Sequence, residues 1–277
     1  MKKRFALTII GGATEDLFLT IDNYQLIDNS QDILAQKLLA IEYGAKILAE
    51  KSFLTYGGGA SNVAVAATRY GLKSTIMTAV GDDQRGSNIL KNLKFHGIDS
   101  HYVQVIAKQQ SAVSVILIGK DGEHSAICYR GANDLMTINP NTMAILSSPW
   151  LYISSLSGHN WYKNLVNIFS SNKLIAWNPG QTQLLAGVAK LKKFLSRTAI
   201  FIINHDEALQ LVSTDNSLKP QQIKTYNHNI DLLIKRVASY GPHLVIITKD
   251  KEGAWSYDGE QLIHQTAYLA KNVVDTT

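Results

Sequence analysis

Three consecutive glycines and a nearby amide, in Tyr56-Gly57-Gly58-Gly59-Ala60-Ser61-Asn62, are the residues of this chain best suited to holding a small ligand. A turn without Cβ atoms lets a ligand approach backbone N–H groups, and a helix starting there points the positive end of its dipole at the same spot. Asn62, in the first helical turn, offers both a donor and an acceptor, which suits a hydroxyl-rich compound. The second candidate is Asp16, in Gly11-Gly12-Ala13-Thr14-Glu15-Asp16, a carboxylate that can accept from substrate hydroxyls. Taken from its own segment alone, Asp16 is better explained as a turn or capping residue. Glycines before a helix are also often no more than a tight turn. A dinucleotide fingerprint is the remaining rival, but its third glycine is absent (Asn62 stands there) and the loop lies far from the N-terminus.

The elements that must position these residues follow from periodicity. Val63, Ala66, Ala67 and Tyr70 predict a helix, capped at its start by Ser61 or Asn62 and closed by Gly71 in the left-handed region. Before it, Phe5 to Ile10 reads as a buried first strand, with Leu17 to Ile21 alternating and residues 36 to 56 forming strands with one exposed face. After it come a helix carrying Ile89, Leu90 and Leu93, stopped by Gly97, and a hairpin of Val113 to Ile118 with Ser125 to Tyr129 around Gly119-Lys120-Asp121-Gly122. From Trp150 onward the strands LYISSL, LIAWNP, AIFIIN and HLVIITK alternate with helical segments, one holding Leu184, Leu185, Val188, Leu191 and Leu195, another Ile230, Leu233, Ile234 and Val237. That alternation predicts an α/β fold with a parallel sheet covered on both faces, whose ligands bind beyond the C-terminal strand ends. The polar residues at those ends are Ser154, Ser155, Asn178, Asn204 and Thr248. Asn204 also reads as the cap of a helix that carries Glu207.

Composition removes several classes. The 277 residues are 45% hydrophobic and 18% charged, ordinary for a globular protein with a substantial core. A formal charge of +5, with no basic run beyond Lys2-Lys3-Arg4, permits an anionic substrate but is no nucleic-acid footprint. The apolar start is too short for a signal peptide and no stretch approaches a membrane span. One cysteine, Cys128, excludes an internal disulfide framework and fits a reducing cytoplasm; in its alternating segment it reads as packing.

With the glycine stretch in the first third and this sheet behind it, the whole chain resembles the pfkB family of carbohydrate kinases, the ribokinase-like fold. GGGASNVAVAATRYGLKSTIMTAVGDDQRG is similar to the family's first signature, with glycines, asparagine, helix and a closing VGDD-x-x-G in order. The resemblance implies a three-layer α/β/α domain over residues 1–277 with a mostly parallel sheet, and a small β lid from about 14–22, 36–56 and 113–130 that serves many relatives as a dimer clasp. It implies that Asp16, Gly58, Gly59 and Asn62 face a sugar or nucleoside. Arg130 and Asn133 are further candidates to reach it from the lid, with a surface or salt-bridge role as the alternative for Arg130. Asn204-His205-Asp206-Glu207 resembles the N-x-x-E motif, in which Asn204 serves ATP and Glu207 holds Mg²⁺ through water, as suits a cation that prefers oxygen and keeps its waters. Thr248 to Gly253 resembles the T-x-G-x-x-G nucleotide loop, with Asp250 in place of the middle glycine.

Two departures bear on activity. Ribokinases carry Asn, Lys and Glu where this chain has Thr14, Gly59 and Ser157, which leaves fructose-type sugars, other ketoses and nucleosides open as acceptors. Val273-Val274-Asp275-Thr276-Thr277 resembles the opening of the second signature, D-T-x-G-A-G-D, and the 277 residues stop there. By the family's logic Asp275 and Thr277 belong to a K⁺ site, the turn that follows forms an anion hole, and the catalytic base lies beyond Thr277. A stop inside a motif looks more like an interruption than a natural terminus. The expectation is therefore an ATP-dependent, Mg²⁺-dependent kinase, with a non-catalytic sugar-binding remnant as the alternative.

Overall fold

A computed structural model describes residues 5–29, 31–32 and 36–268; Asp275 and Thr277 lie outside them. The centre is an eight-stranded sheet. Leu7–Ile10 lies between Ser74–Met77 and Trp150–Ile153, and Leu174–Trp177, Ile200–Asn204 and Leu244–Lys249 follow, all parallel; Gly253–Tyr257 and Leu262–Gln265 close one edge antiparallel.

Strand alternation divides the core between two faces. Ile9 and Ile76 pack against Ala60, Ala64, Ile89 and Leu93 of helices Gly59–Arg69 and Gln84–Phe95. Ile10 and Met77 join the larger cluster on the other face, with Leu151, Trp177, Phe201, Val245 and helices Trp161–Phe169, Val188–Leu195, His205–Ser213 and Ile230–Ala238. Three layers result, as expected. Along the later strands only that second face is fully buried; Tyr152, Ile202 and Ile246 on the first face remain half-buried.

Several expectations change in detail. The helix after the glycines forms, but its buried face is Ala60, Ser61, Ala64 and Ala67, while Tyr70 is 88% exposed. Small residues let this helix lie close to the sheet, an advantage over packing through bulkier side chains. The segment with Leu184 and Leu195 is two helices, Gln181–Ala186 and Val188–Leu195, because Gly187 takes a left-handed φ of +86° between them. Helix Pro220–His228 and the parallel pair Ala79–Gly81 with Gln104–Ile106 carry no strong signal in the sequence.

The lid is a separate four-stranded sheet. Thr14–Ile21 continues from the first strand through Gly11-Gly12-Ala13, and pairs antiparallel with Ala49–Gly57 and parallel with Val113–Ile118, which pairs with His124–Tyr129. The 36–56 segment divides: only its later part joins this sheet, and Lys37–Ala40 forms its own hairpin with Gln25–Asp28. Cys128, expected to pack, is exposed on the lid's edge strand, where no further strand among the described residues covers it.

Candidate functional site

The lid strand Thr14–Ile21 carries Asp16 on the same face as Phe18, whose ring stacks on Phe53 at 4.4 Å between centroids. Packing of that face turns the carboxylate inward, so Asp16 is only 9% exposed. Thr14 donates its hydroxyl to Asp16 Oδ1 at 2.7 Å, two residues away on the same side of the strand. The other oxygen, Oδ2, lies over Gly57: a Cβ placed on Gly57 would collide with it and would stand 3.7 Å from Asn62 Oδ1. Asp16 and Asn62 therefore share one space, with the glycine turn as its floor. The structure unites these two expected ligands of a polyol.

Gly58 has φ +90°, and a Cβ there would meet Gly12 O at 2.6 Å, so the Gly11-Gly12-Ala13 connection and the turn touch backbone to backbone. Gly59 is exposed and sits against Ser154 Oγ, at the C-terminal end of Trp150–Ile153. The helix N-terminus is less open than expected. Gly58 is the cap residue, without a side-chain hydrogen bond from Ser61 or Asn62. The Ala60 and Ser61 N–H groups donate to Gly12 O at 3.1 and 3.4 Å, which satisfies two amides a ligand would otherwise take.

Asn133 has protein partners of its own. It is 8% exposed in the turn Gly131–Leu135, donates Nδ2 to Ala13 O at 3.1 Å and accepts the Thr78 hydroxyl at 3.4 Å. Burial makes this side chain a brace behind Gly12 rather than a group standing free in the site. Arg130 caps that same turn and is half-buried. A second brace was not foreseen. Arg85 Nε donates to Glu15 Oε1 at 3.0 Å and joins helix Gln84–Phe95 to the base of the lid. Arg85 lies within VGDDQRG and Glu15 beside Asp16, but nothing local in either segment identifies the other as partner. In the same motif Asp83 caps the helix, accepting from Gly86 N at 2.7 Å and from Ser111 N and Oγ at 2.9 and 2.6 Å. Burial works against its charge, but the Ser111 and Gly86 hydrogen bonds and the Arg85 charge hold the carboxyl below the ordinary aspartate value.

The later motifs converge at the ends of neighbouring strands. Asn204 and Thr248 stand opposite one another in register, beside a cleft of about 320 Å³ also lined by His205, Asp206, Lys249 and Asp250. Asn204 Oδ1 accepts from Glu207 N at 2.8 Å, and Glu207 Oε2 accepts from Asn204 N at 2.9 Å, a reciprocal cap. The capping role expected of Asn204 is therefore present. Burial raises the Glu207 carboxyl above its usual range despite the Asn204 hydrogen bond, and the charge of Asp206 adds to the rise. The neighbouring Asp206 is held low by its hydrogen bond from His205. Asp250 adopts φ +38°, the left-handed region that a glycine at this loop position takes without strain. Gly253, at φ +102°, has Gln265 O where a Cβ would be. Among the described residues no group of three or more His, Cys, Asp or Glu could hold a metal by itself, and no helix is long and apolar enough to cross a membrane.

Known proteins resemble the chain throughout this arrangement. A ribokinase of Dictyostelium discoideum is 30% identical over 130 residues, which is 47% of this chain and 36% of that enzyme. A ribokinase of Staphylococcus aureus is 26% identical over 98% of this chain and 81% of its own length. The solved structure of a Burkholderia thailandensis nucleoside kinase in complex with inosine superposes with a TM-score of 0.76, covering 98% of this chain and 78% of that one at 18% identity, a likeness of fold. The profile of the pfkB family carbohydrate kinases matches residues 21–277, and the chain belongs to that family.

Proposed function

We propose that this protein transfers the γ-phosphoryl group of ATP to a hydroxyl of a sugar or nucleoside, with Asp16 and Asn62 as the acceptor's main ligands. The observation that carries this reading is the shared space above Gly57, where a carboxylate and an amide meet behind a β lid. Asp16, oriented by Thr14, accepts from acceptor hydroxyls; Asn62 donates and accepts; Gly57 leaves the space between them open, Gly58 and Gly59 border it, and Arg130 approaches from the lid side. Asn204, Thr248 and Gly253 line the phosphate-donor side, at the ends of strands in the same sheet.

In the reaction the acceptor oxygen bonds to the γ-phosphorus, the bond from that phosphorus to the β,γ-bridging oxygen breaks with its electrons leaving on ADP, and the hydroxyl proton passes to a base. That base is not assigned to any of the 277 residues. The protein's share is mostly positioning and charge stabilisation. Mg²⁺, when bound, neutralises charge that develops on the phosphates. Glu207 fits a water-mediated hold on it: one oxygen is engaged by the cap, and a half-buried carboxylate whose burial disfavours its charge gains from a cation nearby. The K⁺ site is assigned to Asp275 and Thr277. The lid face opposite Asp16 carries Leu54, Leu17, Val115 and Ile127 in one row across all four strands, with Leu54 and Ile127 more than half exposed. This row supports a homodimer through the lid. A cytoplasmic location accords with the single free cysteine.

Calorimetry with a panel of sugars and nucleosides, together with an ADP-release assay in Mg²⁺ and K⁺, tests the reading. Acceptor-dependent ADP formation supports it; binding without turnover moves it to a non-catalytic binding protein.

A further inference from the structure

One guanidinium grips the base of the lid at two strands. Arg85 Nε donates to Glu15 Oε1 at 3.0 Å, and Nη1 donates to Ser111 O at 3.4 Å. Glu15 belongs to lid strand Thr14–Ile21, and Ser111 lies just before lid strand Val113–Ile118. The two strands begin their pairing here: Glu15 stands opposite Val113, and its N–H donates to Ala112 O at 3.2 Å. Glu15 directly precedes Asp16, and alternation along the strand sends the two carboxylates to opposite faces. Arg85 therefore holds the strand from behind while Asp16 meets Asn62 in front. The grip runs against local preference. Arg85 sits in the first turn of helix Gln84–Phe95, which carries no acidic residue and where the helix dipole disfavours a cation. Glu15, from a distant part of the chain, offsets that cost with a charge-assisted hydrogen bond.

We infer that Arg85 is a positioning residue for the acceptor: its ion pair with Glu15 fixes the lid strand so that Asp16 stands over Gly57, and affinity for an uncharged sugar or nucleoside consequently depends on ionic strength. The inference rests on the acceptor reading above. An acceptor that binds only with the strand in place has its affinity scaled by the fraction of molecules in that state, and the pair raises that fraction. The side chains of Arg85 and Glu15 are 31% and 12% exposed, so dissolved ions reach the pair. The Debye length falls from about 10 Å at about 0.1 M salt to about 3 Å at about 1 M. An uncharged acceptor brings no net charge to be screened, so the salt dependence of its binding reports the pair.

The test is calorimetry on the full chain with uncharged sugars and nucleosides, headed by fructose, ribose and adenosine, at fixed K⁺ while NaCl rises from about 0.05 M to about 1 M. A compound that binds should lose about two- to fivefold in affinity across that range, the scale of a partly exposed ion pair. Glu15→Gln and Arg85→Met should each cost the same factor at low salt and flatten the salt dependence. The double variant should bind no more weakly than either single one, as two ends of one contact require. Arg85→Lys, which keeps the charge, should retain part of the dependence. Unchanged affinity in both single variants overturns the inference, as does a salt dependence that persists in Glu15→Gln. Additive losses in the double variant, with a lower melting temperature in each single one, show two independent structural side chains and overturn it too. No binding by any member of the panel overturns the acceptor reading itself, and the inference falls with it.

Discussion

The Asp16 carboxylate and the Asn62 amide meet above one glycine: Asn62 Oδ1 stands 3.7 Å, and Asp16 Cγ 3.3 Å, from the point a Cβ on Gly57 would occupy. One residue comes from the opening lid strand and the other from the helix after the glycines. Their meeting depends on Gly58, whose left-handed backbone brings the turn against Gly12.

Asp16→Ala should weaken acceptor binding at least about tenfold, because an oriented, mostly buried acceptor is lost and a hydrogen bond to a charged group is worth about 1.5–3 kcal/mol. Thr14→Val should weaken it less, by freeing the carboxylate without removing it. Titration calorimetry checks both; unchanged affinity in Asp16→Ala would place the substrate elsewhere.

Gly57→Ala should be nearly as damaging as losing Asp16, since the methyl occupies the position of Asp16 Oδ2 and must push it aside. Overpacking of this kind costs about 1–3 kcal/mol, so a lower melting temperature should accompany the loss of affinity.

Glu207→Gln should separate stability from function. Burial raises the Glu207 pKa above its unfolded value, so its charged form destabilises the fold increasingly as pH rises from the unfolded to the folded pKa. A glutamine can still accept from the Asn204 N–H, so the melting temperature near pH 7 should hold or rise. Mg²⁺-dependent nucleotide affinity should fall. A drop in melting temperature without loss of nucleotide affinity would contradict the assignment.

Asp83→Ala should cost about 0.5–2 kcal/mol for the helix cap, and more for the unpaired Ser111 groups. The Asp83 pKa is depressed, so its contribution is fully present above the ordinary aspartate value and is lost as pH falls through the lower folded one. The destabilisation should therefore be constant above about pH 5 and shrink below about pH 4, which denaturant titrations at several pH values would reveal.

Asp250→Gly should strengthen nucleotide binding several-fold, because it removes a carboxylate from the Asn204–Thr248 cleft where phosphates are expected. Relief at φ +38° and the greater freedom of glycine in the unfolded chain nearly cancel, so stability should move little. Nucleotide titrations of the two proteins decide it.

Period and spacing in the sequence by themselves determined the alternation of apolar strands with helices, the glycine turn, and the motifs around Asn62, Asn204 and Thr248, because each is a local pattern of a few to a dozen residues. They did not determine which face the helix after the glycines buries, that Gly187 breaks a helix in two, that Asn133 spends its amide on Ala13, or that Arg85 finds Glu15. Those outcomes depend on groups far apart in the chain, and a buried polar side chain states only that it needs a partner, not which one. Only the tertiary structure placed the Asp16 carboxylate over Gly57, since its direction is set by the pairing of lid strands whose registers no single segment encodes.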